Sequence, residues 1–146
     1  MIVRKTSVFP ASRRIVFSKL QELKTLQYIA RPYAVFIPVS PAPSTWAVGN
    51  ESCFRLKLWG IIPFGIHTIQ VVRIDPGGIS SRERNPHVPV WNHDITLIAV
   101  DEQHTEYTDS VEIHAGWKTF FIWIWANAFY RHRQRKWLKI LKGVTQ

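Results

Sequence analysis

A single cysteine, Cys53, stands among 146 residues, so an internal disulfide framework is excluded and a reducing compartment fits. The longest apolar run, Phe120 to Ala126, falls far short of the roughly 20 residues that span a bilayer as a helix. The opening MIVRKTSVFPASRRIVF has no apolar segment before a small-residue cleavage site. This predicts no signal peptide and a bacterial cytoplasmic location. His67, His93, His104 and His114 come without an H-x-x-x-H or a cysteine pair, so no metal site is expected. The glycines sit in turns rather than in a phosphate-binding loop, and no cofactor is expected. No RNP-like or helix-turn-helix pattern accompanies the basic residues, which argues against a nucleic-acid partner. Acidic residues are missing altogether after Glu112.

The charge that is present is strongly positive, +9 overall, and unevenly spread. Residues 1–50 carry seven Lys/Arg and one Glu, residues 51–112 five basic and nine acidic residues, and residues 113–146 seven Lys/Arg alone. Basic ends around an acidic middle serve internal complementarity and solubility, or clamp an anionic partner. The composition, 46% hydrophobic and 20% charged, is that of a folded chain and not of a disordered one.

The stretch Thr119 to Leu141 organises the rest. At 100° per residue, Ile122, Trp123, Ala126, Phe129, Tyr130, Trp137, Ile140 and Leu141 gather on one side, with Arg131, His132, Arg135, Lys139 and Lys142 opposite. This predicts an amphipathic helix of about six turns, capped at Thr119 and stopped by Gly143. Phe120 to Phe129 is apolar nearly all round, so its first turns are expected to be enclosed. Arg133 falls within the apolar stripe, about 40° from Phe129, where a charge needs a partner.

Before this helix the period is first 3.6 and then 2. Ser7 to Pro10 reads as a short extended start. Ile15, Val16, Leu20 and Leu23 predict a helix after Ala11 and Ser12, and a second short helix covers Thr25 to Ala30. The proline-rich 38–50 reads as a loop. From Glu51 to His114 the chain predicts at least five consecutive antiparallel strands. Phe54, Leu56 and Leu58 alternate with polar residues, GIIPFG (60–65) and Asp75-Pro-Gly-Gly78 are turns, and strands follow over 67–74, 79–83, 91–100 and 105–113. No repeat and no domain boundary appears, so one domain over 1–146 is expected.

Parity along these strands brings polar groups to the apolar side. Trp91, His93, Ile95 and Leu97 share one face, as do Tyr107, Asp109, Val111 and Ile113, and Glu83 lies with Ile79. His67 stays undecided because both faces of its strand are mixed. Pairing about residues 101–103 brings His93 near Asp109 or Val111. Glu83, His93, Tyr107, Asp109 and Arg133 thus point at one interior, where each must pair with another, with water or with a ligand. Arg133 suits a carboxylate or phosphate, and equally a structural ion pair with Glu83 or Asp109. His93 beside Asp109 is a candidate proton-transfer pair.

The order of elements, with the pieces TSVFPASRRIVFSKLQEL, GIIPFGIHTI, VWNHDITL, YTDSVEI, AGW and AFYRHRQRKW, resembles the SRPBCC superfamily. That superfamily includes START-related and polyketide cyclase/dehydrase-like proteins, and the match is to poorly characterised bacterial members. The resemblance implies an α+β helix-grip fold, in which a curved antiparallel sheet wraps a long C-terminal helix and two short helices follow the first strand. It also implies a cavity between sheet and helix for a small hydrophobic or amphipathic molecule. Phe54, Leu56, Leu58, Trp91, Tyr107, Trp123, Phe129 and Tyr130 are the expected wall, with Arg133 and His93 orienting the ligand. Two other readings remain: a cyclase- or dehydratase-like enzyme using His93 and Asp109, and a membrane-surface protein inserting Phe121, Trp123 and Trp125.

Overall fold

The computed structural model describes residues 1–144, with side chains to Lys142. Strand β1 (Ile2–Phe9) leads into helices α1 (Arg13–Leu20) and α2 (Leu23–Ala30), then β2 (Ala34–Pro38) and β3 (Glu51–Leu58). A meander follows: β4 (Ile62–Asp75), β5 (Gly78–Asn85), β6 (Val88–Asp101) and β7 (His104–His114). One 3-10 turn, Gly116–Lys118, opens helix α3 (Thr119–Val144). All seven strands form one antiparallel sheet in the order β1-β7-β6-β5-β4-β3-β2. This is the helix-grip arrangement expected from the sequence.

Local signals explain most boundaries. Ser12 caps α1, its Oγ accepting from the Ile15 amide at 3.3 Å, a contact that contributes about 1 kcal/mol. Thr119 acts less as a cap than as a clasp, accepting from the Ala115 amide at 2.8 Å and donating to the Gly116 carbonyl at 2.7 Å. Helix α3 does not stop at Gly143 but continues to Val144. Strand β2, read as part of no element, is a five-residue edge strand. Pro38 closes it at a position where a missing N–H costs no central ladder bond. Strand β4 begins at Ile62, so the 60–65 turn is really Trp59–Ile61, and β1 starts at Ile2 rather than Ser7.

The sheet curls because β4 and β6 carry extra residues. Lys57 pairs with Pro63 but Arg55 with Ile66, and Val71 pairs with Ser81 but Arg73 with Ser80. Each shift places one surplus residue on β4, which bends and twists the strand. Similar shifts fall on β6 at either end. Helix α3 lies across the concave face with Ala126, Phe129, Tyr130, Trp137 and Leu141 buried. Each large apolar side chain so buried contributes about 1.5–3 kcal/mol. At one end Trp137 packs on Phe9 and Tyr107, both at 5.6 Å between ring centroids.

The other end of α3 departs from expectation. Trp117, Phe120, Phe121 and Ile124 are half or more exposed, so the first turns are not enclosed all round. From that half Ala126 and Phe129 are buried, while Ile122, Trp123 and Trp125 pack half-buried against the core. No helix among the described residues is long and apolar enough to cross a membrane.

Candidate functional site

Between the sheet and α3 lies a cavity of about 250 Å³, smaller than the 300 Å³ or more that bulky residues on a curled sheet suggest. Trp91, Trp125 and Phe129 occupy part of the space: Trp91 and Trp125 sit 6.4 Å apart and Trp125 meets Phe129 edge-on at 4.7 Å. Leu20, Ile29, Phe36, Leu56, Ile69, Val71, Ile79 and Ile95 make most of the apolar lining. Phe121, exposed at 64%, lines the same space.

Of the residues expected at the site, Arg133, Glu83, His93, Trp91, Leu56, Leu58, Phe129 and Tyr130 line this cavity. Phe54, Tyr107, Asp109 and Trp123 do not. Phe54 is fully buried among Phe36 and Trp46. Tyr107 and Asp109 stand behind His93, with no exposure at all. Trp123 leans over β1 and donates to the Ile2 carbonyl at 2.9 Å. Its place in the wall is taken by Trp125, which lies four residues from Phe129 and therefore on the same helix face. With Trp125 turned inward and Trp123 held against β1, a helix inserting Phe121, Trp123 and Trp125 together into a membrane loses two of its three anchors.

Ser81 and Asn85 line the cavity without a sequence expectation, His67, undecided from the strand pattern, joins them, and so does Trp125, expected only as a membrane anchor. Ser81 and Asn85 share the parity of Ile79 and Glu83, so that signal was available. The backbone amides of His87 and Val88 both donate to Asn85 Oδ1, at 2.8 and 2.9 Å. That fixes the amide, so Asn85 Nδ2 donates to His67 Nδ1 at 3.1 Å. His67 therefore carries its proton on Nε2 and donates it to Glu83 Oε1 at 2.8 Å as a neutral ring.

The polar chain continues inward. Ser81 Oγ donates to the other Glu83 oxygen at 2.6 Å, and His93 Nδ1 stands 3.7 Å from it. His93 Nε2 lies 2.7 Å from Asp109 Oδ1. Tyr107 donates to the same oxygen at 3.3 Å, and Gln134 Nε2 to Oδ2 at 3.2 Å. Both carboxylates are thus surrounded by donors. Burial alone would raise the pKa of Glu83, but the hydrogen bonds from His67 and His93 hold it well below the usual carboxylate range. Burial likewise works against the Asp109 charge, and the field of Arg133 with the His93 bond reverses it, so its pKa is lowered. For His93, burial works downward, yet the bonds to Asp109 and Glu83 prevail and its pKa is raised.

Arg133 is only 4% exposed. Its guanidinium lies over the Tyr130 ring at 5.0 Å and near Phe129 at 5.7 Å. No carboxylate among the described residues comes within ion-pairing distance, so the structural bridge to Glu83 or Asp109 is not formed. Its Nε has no hydrogen-bond partner. Burial opposes the charge, and the field of Asp109 does most to hold the proton in place. Among the described residues no three His, Cys, Asp or Glu side chains converge as metal ligands.

These shifts predict a pH profile for stability. The lowered carboxylates contribute fully above their ordinary values, about 4.3 or less, and lose that contribution as pH falls through their folded values. Raised His93 contributes fully below about 6.5 and loses its contribution as pH rises through its folded value. Urea unfolding across this range should place the maximum between about pH 4.3 and about 6.5. A stability that climbs steadily above that window would contradict a charged His93.

Residues 41–141 match the sequence model of a family described as a domain of unknown function (DUF8410). No curated protein matches. Among solved structures, a START superfamily protein from Mycobacterium smegmatis is 11% identical over 99% of both chains, with a TM-score of 0.76. Protein CV1439 from Chromobacterium violaceum is 12% identical over 96% of both chains, with a TM-score of 0.73. Ara h 8.0201 is 11% identical over 91% of this chain and 94% of its own, with a TM-score of 0.60. The fold is accordingly that of the START, or SRPBCC, superfamily.

Proposed function

We propose that this chain, which belongs to the DUF8410 family of domains of unknown function, binds a small amphipathic molecule within a single domain spanning 1–146. The observation that carries this reading is the cavity itself: about 250 Å³ enclosed between sheet and helix, apolar along most of its wall. Glu83, His93 and Arg133 gather where β5, β6 and α3 meet. Burial of ligand surface at about 25 cal/mol per Å² supplies affinity, and the polar wall supplies orientation. Likeness to a START superfamily protein supports the same class of ligand.

The enzyme reading needs His93 and Asp109 to converge with open space between them. They instead touch at 2.7 Å, and Asp109 is sealed from the cavity. Sequestration or transport is therefore the reading the geometry favours.

Val71 lines the cavity and is 2% exposed, so Val71→Phe should fill it. A polarity-sensitive naphthalene ketone should bind the parent protein saturably, one molecule per chain, and the variant at least about tenfold more weakly. The variant should lose less than the roughly 1–3 kcal/mol typical of an overpacked core, because the ring enters empty space. Unsaturable binding, or equal binding by Val71→Phe, would remove the cavity as the site.

A further inference from the structure

The polar wall has a charge count that constrains the ligand. Glu83 and Asp109 carry two negative charges. Every oxygen of the two already receives at least one donor, from His67 and Ser81 on Glu83 and from His93, Tyr107 and Gln134 on Asp109. His67 is neutral by its bond to Asn85. Arg133 adds one positive charge, and His93 adds one when protonated. The cluster is therefore neutral with His93 charged and singly negative with His93 uncharged. In neither state does it hold an unmatched positive charge.

A ligand carboxylate or phosphate would bring a third anion to this wall. It would lose its hydration in a space bounded mostly by hydrocarbon, with no net cation to compensate it. The donors tell a complementary story. Arg133 lines the cavity with its guanidinium 5.0 Å from the Tyr130 ring centroid, its Nε without a hydrogen-bond partner and bonded to no carboxylate among the described residues. Tyr130 accepts from Trp91 Nε1 at 3.0 Å, and its own proton goes to no described partner. What the wall offers is hydrogen-bond donors at a place that is already charge-balanced.

We infer that the cavity takes an uncharged amphipathic ligand bearing a hydrogen-bond acceptor of the carbonyl class, received by Arg133, and discriminates against carboxylates of the same shape. This rests on the binding reading above and narrows it. An anion is the natural partner of a buried arginine seen in sequence alone, but the two carboxylates supplied by β5 and β7 already balance its charge through space without pairing with it.

Three naphthalenes of similar size separate the possibilities: 2-acetonaphthone, 2-naphthoate and 2-methylnaphthalene. Quenching of tryptophan fluorescence reports occupancy, since Trp91 and Trp125 line the cavity. At neutral pH the ketone should bind at least about tenfold more tightly than the carboxylate and more tightly than the hydrocarbon. Arg133→Met should bring the ketone down to the level of the hydrocarbon and leave the hydrocarbon unchanged. A carboxylate that binds as well as the ketone overturns the inference while leaving the cavity intact. So does an Arg133→Met protein that weakens ketone and hydrocarbon equally. The parent comparison decides the question even if the variant folds poorly. If none of the three binds saturably, both the inference and the binding reading fall, and Val71→Phe would then show no effect either.

Discussion

Asp109→Ala is expected to cost about 3–5 kcal/mol of folding stability, in the range for breaking a buried charge cluster on one side. Asp109 has no solvent exposure and receives His93, Tyr107 and Gln134 on its two oxygens. Alanine takes the acceptor from His93 Nε2 and from the Tyr107 hydroxyl, both buried, and leaves Gln134 Nε2 with the Lys5 carbonyl alone. The loss should show as a lower urea midpoint with an unchanged denaturant slope. Combining Asp109→Ala with His93→Leu should recover part of the loss, because the stranded cation goes with its partner. A single variant within about 1 kcal/mol of the parent would mean that the cluster contributes little.

Gly78→Ala should be of similar size for a purely steric reason. Gly78 has φ +139°, and a Cβ there would stand 1.8 Å from the Ile95 carbonyl oxygen and 2.8 Å from its carbon. That carbonyl belongs to β6, in the middle of the sheet, and has no room to retreat. Backbone strain of about 1–3 kcal/mol adds to a clash comparable with overpacking, about 1–3 kcal/mol. Gly49→Ala separates the two contributions. Gly49 also has a positive φ, +88°, but nothing within 4 Å of its would-be Cβ. It should cost about 1 kcal/mol. Equal losses at the two glycines would leave no part for the clash.

Much of this was readable from sequence where the period of a strand survives. Trp91, His93, Ile95 and Leu97 keep strict alternation, so parity and one turn brought His93 near Asp109 or Val111; in register it faces Val111 and bonds diagonally to Asp109. The helical phase likewise put Arg133 inside. Strand β4 hid its content because its period is broken twice. Phe64, His67, Ile69, Val71 and Ile74 all face the interior or its edge, at spacings of three, two, two and three residues. The surplus residues that bend the strand make those steps of three. A reading at period 2 therefore sees both faces mixed, and His67 could not be assigned. Tyr107 and Asp109 shared the correct face but stood one strand too far from the opening, because the sheet's curl, not parity, decides which inward residues reach the cavity. For Trp123 and Trp125 the wheel was ambiguous, since the first turns of α3 are apolar on every side.

The closing pair of the sheet bears on the order in which the molecule can be assembled. Strand β1 is the first to be synthesised, yet its partner is β7, and Val3 meets Val111 across 108 residues. Every other strand pairs with its neighbour in sequence. On a ribosome the β2–β7 meander can zip up hairpin by hairpin as it emerges, while β1 waits with an unsatisfied edge until nearly all the chain exists. The oldest strand is thus the last to be hydrogen-bonded, and its long loop must be closed by entropy-costly encounter rather than by local turning.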